Sequence, residues 1–412
     1  MQFCELTEEE FKNFSSEHSL RSFLQTPEMA IIKRIDNWNY YYVGVKQDKK
    51  VLCATLLLEY KGRHFKTFSS PRGYLIDYRD KELLKFFTKE IKKFIKKKGG
   101  SFLNIEPNVL YKERDIDGQI VSNGFDNSDI YQNLIKLNYK HNGFYLNLDA
   151  SKQCRWEFIL DISDKSEDEV FNNFKPNTRN VIRKNIKYGV YVRELAYNEL
   201  DKFYDLVQNS GERHDFHSRS VKYYQSMYNV FHDKGMVKFL VTELVLDNYI
   251  STLKSEISEL KDKISSINNN NHNKGRYEEF KSQIQTSEDR INEALKLKDK
   301  YGDKVIMAGA MFMLYGTEIV YLFSGTRNDF LTLKSQFLLQ WHIIKYGIDN
   351  GYKIYNFGGI SGILNKSDAR YGLYIFKKSF GGNVIEYIGD FDLIVSPVKY
   401  SLRKILEKIG GR

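Results

Sequence analysis

Residues 352–392, YKIYNFGGISGILNKSDARYGLYIFKKSFGGNVIEYIGDFD, bring aromatic, glycine and ionisable residues together between runs of strand-forming residues. Two Gly-Gly pairs and a Gly-Asp-Phe turn indicate backbone held close to a ligand, because only glycine allows that approach without a Cβ clash. The lysines of Phe376-Lys377-Lys378 are candidates for contact with an anionic substrate. The alternative is a set of ordinary hairpin turns between the strands of an α/β sheet. In an extended strand, Lys377 and Lys378 would face opposite sides.

The rest of the chain predicts two α/β units in sequence. A chain of 412 residues suits two domains of about 150 to 200 residues with a remainder. Strand-like runs alternate with helical ones over residues 1–100, and the alternation is repeated over residues 141–245. We place the first unit at 1–150 and the second at 151–396, followed by a basic segment at 397–412. The last strand or helix is a candidate to return to the first unit.

The remainder is a helical arm at residues 246–302, inserted in the second unit. Apolar residues step by three and four along the first half, at Ile250, Leu253, Ile257, Leu260, Ile264 and Ile267. The pattern resumes after the polar tip NNNNHNKG, at Tyr277, Phe280, Ile284, Ile291 and Ala294. This spacing is typical of a coiled-coil seam, and the short tip predicts an antiparallel hairpin. With ten Lys/Arg and nine Asp/Glu over residues 250–300, the arm is nearly neutral, so both a tRNA-binding role and a spacer or partner-contact role stay open.

Charge and cysteine content narrow the classes of partner. A formal charge of +10 favours polyanions such as tRNA, UDP-linked sugars or an acidic membrane face. The three cysteines, Cys4, Cys53 and Cys154, are far apart and predict reduced thiols. His214 and His217 lack a third ligand nearby, so we expect neither a metal nor a cofactor. Residues 1–20 show no secretory pattern and the sequence contains no run of eighteen apolar residues, which predicts a cytoplasmic protein.

Five ordered segments carry a family resemblance. Together they resemble the Fem family of aminoacyltransferases, which build the peptidoglycan cross-bridge from aminoacyl-tRNA. The resemblance implies two tandem acetyltransferase-like (GNAT) domains with the coiled-coil hairpin inserted in the second. The segments are LQTPEMAIIKRIDNW (24–38), SPRGYLIDY (70–78), NTRNVIRKNIKYGV (177–190), SGERHDFHSRSVKYY (210–224) and the block at 352–392.

The resemblance also implies site residues. Lys377 would stabilise the oxyanion at the reacting carbonyl or orient the acceptor carboxylate, with Phe376 shielding it from water. Lys33 and Arg213 would contact phosphate or stem peptide, since arginine suits bidentate phosphate geometry. Asp77 and Asp390 are candidate proton acceptors, although an Asp in a turn commonly bonds to its own backbone. The remaining candidates for substrate binding are Trp38, Arg72, His217, Tyr321 and Ser324.

The sequence therefore predicts transfer of a small amino acid, glycine first, to the amine of a UDP- or lipid-linked muramyl pentapeptide or of a growing bridge. Peripheral membrane association is compatible with such an acceptor. An activated ester needs positioning more than a strong nucleophile, and the chain has no G-x-S-x-G or P-loop motif. Two alternatives stay open. One is an acyl-CoA-dependent N-acetyltransferase, disfavoured by a missing pyrophosphate loop, and the other is a catalytically degenerate tRNA- or membrane-binding adaptor.

Overall fold

The computed structural model describes residues 1–62, 64–149, 152–214, 218–266 and 274–409. Ile267 of the expected arm seam, the boundary expected at residue 150 and the chain's last three residues lie outside these ranges. The described strands are β1 (Gln2–Glu5), β2 (Asn39–Gln47), β3 (Lys50–Lys61), β4 (Lys66–Arg72), β5 (Gly100–Pro107), β6 (Tyr139–His141), β7 (Trp156–Asp161), β8 (Tyr191–Glu194), β9 (Val237–Val245), β10 (Lys304–Tyr315), β11 (Glu318–Thr326), β12 (Ile354–Gly359), β13 (Asn383–Glu386) and β14 (Phe391–Ile394).

The described helices connect and cover these strands. They are α1 (Glu8–Glu17), α2 (Pro27–Ile35), α3 (Lys81–Lys97), α4 (Ser128–Lys136), α5 (Glu167–Asn173), α6 (Pro176–Lys187), α7 (Leu200–His214), α8 (Val221–Phe231), α9 (Leu246–Ser266), α10 (Lys274–Tyr301), α11 (Gln336–Asp349), α12 (Tyr371–Lys378) and α13 (Pro397–Ile409). The lysine-rich α3 shows why they form: Asp80 Oδ1 accepts from Leu83 N at 2.9 Å and caps the helix. Phe87 and Ile91, four residues apart, are buried on one face.

Two seven-stranded sheets organise the described residues. The first has the order β1-β2-β3-β4-β5-β14-β6, and the second β13-β7-β12-β11-β10-β9-β8. Each contains one parallel pair among antiparallel neighbours, β4 with β5 and β11 with β12. The strand β14 follows the second unit in sequence but pairs with β5 and β6 of the first sheet, where Phe391 lies opposite Ile105. The second unit as drawn to residue 396 therefore ends in a strand of the first sheet.

The two units share a hydrophobic core. One cluster of buried side chains contains Leu56 and Leu75 of the first unit together with Phe203 and Met311 of the second. Core side chains that interdigitate in this way oppose movement of one unit against the other. This packing fixes the relative placement of the two units, which both contribute residues to the candidate site.

The arm consists of α9 and α10, as the apolar spacing predicts. Near its base, Leu253 and Ile257 are buried, and Tyr188, which directly follows α6, packs on Tyr249 with ring centroids 5.0 Å apart. Arg290 of α10 donates to the Tyr188 hydroxyl at 2.9 Å. Farther out, Leu260 is half-buried. The base of the arm thus belongs to the core of the second unit, whereas its outer part depends on contact between the two helices.

The Phe-Lys-Lys segment lies on a helix, so the expectation that Lys377 and Lys378 sit on a strand is wrong. Residues 371–378 form α12, and its buried side chains, Tyr374 and Lys377, are three residues apart on one helical face. Successive helical residues point about 100° apart, so Lys378 still faces another direction. Its ammonium pairs with Asp117.

Candidate functional site

A buried lysine lies at the centre of the site. Lys377 is 3 % exposed, and its Nζ donates to the carbonyl oxygen of Gly359 at 2.7 Å. Burial lowers the pKa of Lys377 to about 8, although the nearby Cys154 and Glu157 favour the charged form. The amine is therefore mostly charged at neutral pH but close to its titration midpoint. A partly desolvated ammonium of this kind can stabilise negative charge that develops beside it.

A glutamate on β7 joins the two units next to this lysine. Glu157 Oε1 accepts from the Arg72 guanidinium at 2.7 Å, and Arg72 comes from the end of β4 in the first sheet. The same guanidinium donates to the Cys154 carbonyl at 2.9 Å and lies 3.6 Å from the ring centroid of Tyr387. Tyr387 in turn donates from its hydroxyl to Glu157 Oε2 at 3.2 Å. Arg72 is therefore held on three sides by groups of the second sheet or its flanks.

A second, half-buried carboxyl, that of Glu318, is coupled to the first through an amide. The Nδ2 of Asn356 donates to Glu157 Oε2 and to Glu318 Oε1, both at 2.8 Å. Asn356 Oδ1 accepts from Gly358 N at 2.7 Å, which fixes the orientation of the amide. Burial, followed by the negative charge of Glu157, raises the pKa of Glu318 to about 7. Glu318 can therefore gain or lose a proton near neutral pH.

Lys33 of the first unit and Arg219 of the second interact electrostatically and form a cationic edge. Lys33 of α2 is half-buried, and its Nζ lies 5.9 Å from the ring centroid of Trp38. Burial lowers the pKa of Lys33, and the positive charge of Arg219 adds to that effect. Two cations in this proximity are suited to an anion between them. Glu106 is buried and interacts electrostatically with both Lys33 and Arg72, which connects this edge with the carboxylate cluster.

Arg213 links α7 to the turn that follows β11. Its guanidinium donates to Ser210 Oγ at 3.0 Å, to the Thr326 carbonyl at 3.4 Å and to the side-chain oxygen of Asn328. The side chain is exposed, so the guanidinium is held at the surface by neutral acceptors. His217, which the sequence places beside it, lies outside the described residues.

Tyr321 and Ser324 lie together on β11. The Tyr321 hydroxyl donates to Ser324 Oγ at 2.5 Å, and its ring stacks on Phe312 at 5.6 Å. Burial raises the pKa of Tyr321 to about 12, so the hydroxyl stays protonated at neutral pH. A Cβ on Gly358, whose φ is +73°, would lie 2.8 Å from the Tyr321 carbonyl. Glycine at 358 therefore allows β12 to approach β11 at this point, and close approach of the Gly-Gly backbone to a ligand stays a prediction.

Among the described residues, neither Asp77 nor Asp390 makes a hydrogen bond or an ion pair with Lys377. Asp77 is exposed, and its Oδ1 accepts from Arg79 N at 2.8 Å within its own turn. Asp390 is 1 % exposed and accepts from Asn142 Nδ2 at 2.8 Å and from Lys152 Nζ at 3.1 Å. These contacts stabilise a turn and the edge of β14, respectively, and a proton-accepting role for either residue stays a prediction.

Phe376 packs away from the position that the sequence suggests. Its ring contacts Phe337 at 4.9 Å and Phe380 at 5.4 Å between centroids. These are core contacts of the second unit. The ammonium of Lys377 contacts the Gly359 carbonyl instead, and a Cβ on Gly359 would come within 2.3 Å of Cys154 Sγ.

Sequence reasoning missed Glu157, Glu318, Asn356, Tyr387 and Arg219. One signal was available for two of them: Glu157 and Asn356 are polar residues flanked by aromatic residues inside otherwise apolar strands, WEF and YNF. A polar side chain at such a position is expected to have a specific partner. Within the described ranges, no group of three or more His, Cys, Asp or Glu side chains is placed to hold a metal ion. No described helix is both long and apolar enough to cross a membrane.

Comparison with solved structures defines the class. The crystal structure of FemX superposes with a TM-score of 0.76 and 26% identity, covering 98% of this chain and 99% of that one. A tandem GNAT protein from the clavulanic acid biosynthesis pathway superposes with a TM-score of 0.52 at 7% identity, covering 96% and 99%. The second likeness concerns the fold alone. The protein is thus a transferase-type α/β protein of two acetyltransferase-like units, and the expected fold class is confirmed.

Sequence comparison gives the family. Residues 6–408 match the FemAB family. The aminoacyltransferase FemA of Staphylococcus epidermidis is 32% identical over 99% of this chain and 100% of its own length. FemA of Staphylococcus aureus (strain bovine RF122 / ET3-1) is 29% identical over the full length of both. The chain belongs to the FemAB family and is an aminoacyltransferase, which confirms the resemblance found in the sequence.

Proposed function

We propose that this aminoacyltransferase moves a small amino acid, glycine first, from aminoacyl-tRNA to the amine of a peptidoglycan precursor stem peptide or growing cross-bridge. The observation that supports the proposal most directly is the buried Lys377, whose ammonium is held by the Gly359 carbonyl beside a fixed carboxylate cluster. The site offers a preorganised cation at Lys377 and a cationic edge at Lys33 and Arg219. An anionic acceptor would bind the edge, and the reacting ester would meet Lys377.

The reaction requires one bond to form and one to break. The acceptor amine attacks the ester carbonyl carbon of the aminoacyl-tRNA, an oxyanion forms, and the carbon–oxygen bond to the terminal ribose breaks as the amide forms. The proton lost by the amine is balanced by the proton gained by the ribose hydroxyl. Lys377 stabilises the oxyanion, because its positive charge lies in a site of low dielectric. Its hydrogen bond to Gly359 keeps the ammonium in place before the substrate arrives.

The carboxylate cluster positions this cation. Glu157 favours the charged form of Lys377, and Arg72 and Asn356 hold Glu157 from opposite oxygens. Glu318 adds a group that exchanges a proton near neutral pH. We assign Glu157 and Glu318 as positioning residues, since an activated ester reacts with a correctly placed free amine without a strong dedicated base.

The acceptor's phosphates fit the cationic edge. Lys33 and Arg219 provide two charges, and Trp38 offers a flat apolar surface beside them. Arg213 lies in the last turn of α7, six residues before Arg219 in the sequence. A nucleotide- or lipid-linked muramyl pentapeptide carries a pyrophosphate and carboxylates that match this set. The linkage of the acceptor to a nucleotide or to a lipid stays a prediction. Peripheral membrane association and a cytoplasmic location also stay predictions.

The donor tRNA would meet the basic helix α6. The apolar side of α3, the other lysine-rich helix, packs in the core of the first sheet, whereas that of α6 packs in the core of the second. Lys187 is also paired with Glu256 of the arm at 2.6 Å. Lys184, whose pKa burial and neighbouring cations lower, is the better candidate for a phosphate contact on this helix. The arm stays open as a tRNA contact or a spacer.

One experiment tests the proposal. The full chain is incubated with a pool of charged tRNAs and, separately, with acetyl-CoA, using UDP-linked and lipid-linked pentapeptide acceptors. The mass increment of the acceptor identifies the transferred residue. We expect an increment of one small amino acid with charged tRNA and none with acetyl-CoA. An acetyl increment would favour the acyl-CoA alternative, and no increment from any donor, with tRNA binding retained, would favour a degenerate adaptor.

A further inference from the structure

The C-terminal helix α13 is anchored by one face. Tyr400 is 5 % exposed, its ring lies 5.5 Å from that of Phe102, and its hydroxyl donates to Asp392 Oδ2 at 2.7 Å. The guanidinium of Arg403 lies 4.4 Å from the Phe102 ring centroid. The helix is therefore fixed against the first sheet, at β5 and β14, through its inner face.

The outer face of α13 is apolar and exposed. The exposed fractions are 70% for Val398, 49% for Leu402, 52% for Ile405 and 46% for Leu406. These four side chains are spaced by four, three and one residues, so they all fall within one arc of about 100° around the helix. They form one continuous stripe that points away from the protein. An apolar stripe on an anchored helix favours a partner that is also apolar.

Basic side chains border the stripe. Lys399 lies on one flank of the stripe. Arg403 packs inward on Phe102, and Lys404 lies beside Tyr400 near the anchored face. Lys399 Nζ donates to the Gly99 carbonyl at 3.4 Å, so the start of α13 adjoins the end of α3, which carries Lys96, Lys97 and Lys98. Glu407 is the one acid among residues 397–412. The stripe therefore lies in a surface of predominantly positive charge.

We propose that the outer face of α13, together with the lysine end of α3, docks on an anionic membrane surface. The apolar side chains would enter the boundary between headgroups and acyl chains, while Lys399 and the lysines at the end of α3 contact lipid phosphates. A second copy of the chain is a poorer occupant, because a two-fold contact through this stripe would bring the basic flanks of two molecules together. The proposal extends the proposed function, on which it rests, since it would bring the protein to the surface that carries a lipid-linked acceptor.

The test uses the full chain and lipid vesicles without substrate, so it is independent of the transfer reaction. Sedimentation with phosphatidylglycerol-containing vesicles is compared with sedimentation with pure phosphatidylcholine vesicles. We expect selective binding to the anionic vesicles and a loss of at least about tenfold in binding for the Leu402→Asp/Ile405→Asp variant. Ile120→Asp, at a side chain 56% exposed in the first unit, is the matched control and should bind normally.

Three results would overturn the docking proposal: equal binding to both lipids, normal binding of the double variant, or a dimer that the double variant abolishes in sedimentation velocity runs. Because the substituted side chains are exposed, the melting temperature should not change, and its measurement guards against misfolding. Transfer to a UDP-linked acceptor should be unaffected by the double variant, whereas transfer to a vesicle-borne lipid-linked acceptor should fall. If the wild-type protein binds vesicles but transfers to neither acceptor, that result would instead count against the proposed function.

Discussion

Arg72 and Glu157 form an ion pair of 2.7 Å that joins the end of β4 in the first sheet to β7 in the second. The two side chains are nearly buried, and the pair is extended by Asn356 and Tyr387 through Glu157 Oε2. The pair therefore connects the relative placement of the two units with the environment of Lys377. A change on the first unit can alter the site on the second without touching the substrate.

Removal of one member of this pair should be strongly destabilising. Arg72→Met leaves Glu157 buried with neutral donors alone, and we expect the free energy of unfolding to fall by about 3 to 5 kcal/mol. Arg72→Met/Glu157→Gln should lose less than the sum of the two single variants, because neither charge is then left unpaired. Denaturant unfolding of the four proteins measures both values. Strict additivity would mean that the two residues act independently.

Stability should depend on pH through Glu318. Its pKa is raised from 4.5 to about 7, so the folded protein keeps a proton between these values that the unfolded chain has released. This contribution to stability is present below pH 4.5 and is lost as the pH rises through 7. Glu318→Gln should therefore gain about 1 to 3 kcal/mol relative to the wild type between pH 5 and pH 8. Chemical unfolding at both pH values measures the gain, and a difference that does not change with pH would contradict the assignment.

The arm should respond to substitution according to position. Leu260→Asp acts on the outer part, where the leucine is half-buried between α9 and α10, and we expect a local loss of about 1.5 kcal/mol with the main melting transition unchanged. Leu253→Asp acts at the base, where the side chain is fully buried in the second core, and should lower the main transition itself. Circular dichroism and calorimetry distinguish the two. Loss of the whole fold with Leu260→Asp would show that the outer arm is also part of the core.

Donor binding should be sensitive to salt. Cations on α6 that contact tRNA phosphates release counterions, so the apparent affinity should fall steeply as ionic strength increases. Lys184→Ala should reduce the slope of log affinity against log salt by about one unit, and Lys187→Ala by less, because Lys187 is paired with Glu256. Filter binding over a salt series measures the slopes. An affinity that stays constant from low to physiological salt would remove the electrostatic account.

The features that follow from local patterns could be predicted from the sequence. Apolar residues at helical spacing predicted the arm, and alternation of strand-like and helical runs predicted two α/β units. The return of β14 to the first sheet was left open, because Phe391 meets Ile105 across a sequence separation that no local pattern specifies. The segment of Lys377 was misread as a strand since its aromatic and β-branched residues suit both structures, and burial of Tyr374 and Lys377 on one face decides for the helix.

Only part of the candidate site could be predicted from the sequence, for the same reason. Lys33, Arg213 and Lys377 could be named from motifs. The Glu157 network depends on three strands and both units meeting at one point, so the partners of Glu157 appear only when the sheets are assembled. Asp77 and Asp390 drew attention as turn carboxylates, and each has the local or structural hydrogen bonds that such residues commonly make.

Single-turnover transfer by Lys377→Met, with Lys378→Met as the matched control, tests the central claim most directly. Lys377→Met keeps the length of the side chain and removes the charge that would meet the oxyanion, a contact worth about 2.7 to 4 kcal/mol. The protein should fold at least as well as the wild type at pH 7, because a desolvated charge has been removed. We expect a loss of about a hundredfold or more in transfer rate for Lys377→Met and little change for Lys378→Met, whose ammonium pairs with Asp117. Near-normal rates in both variants would contradict the account.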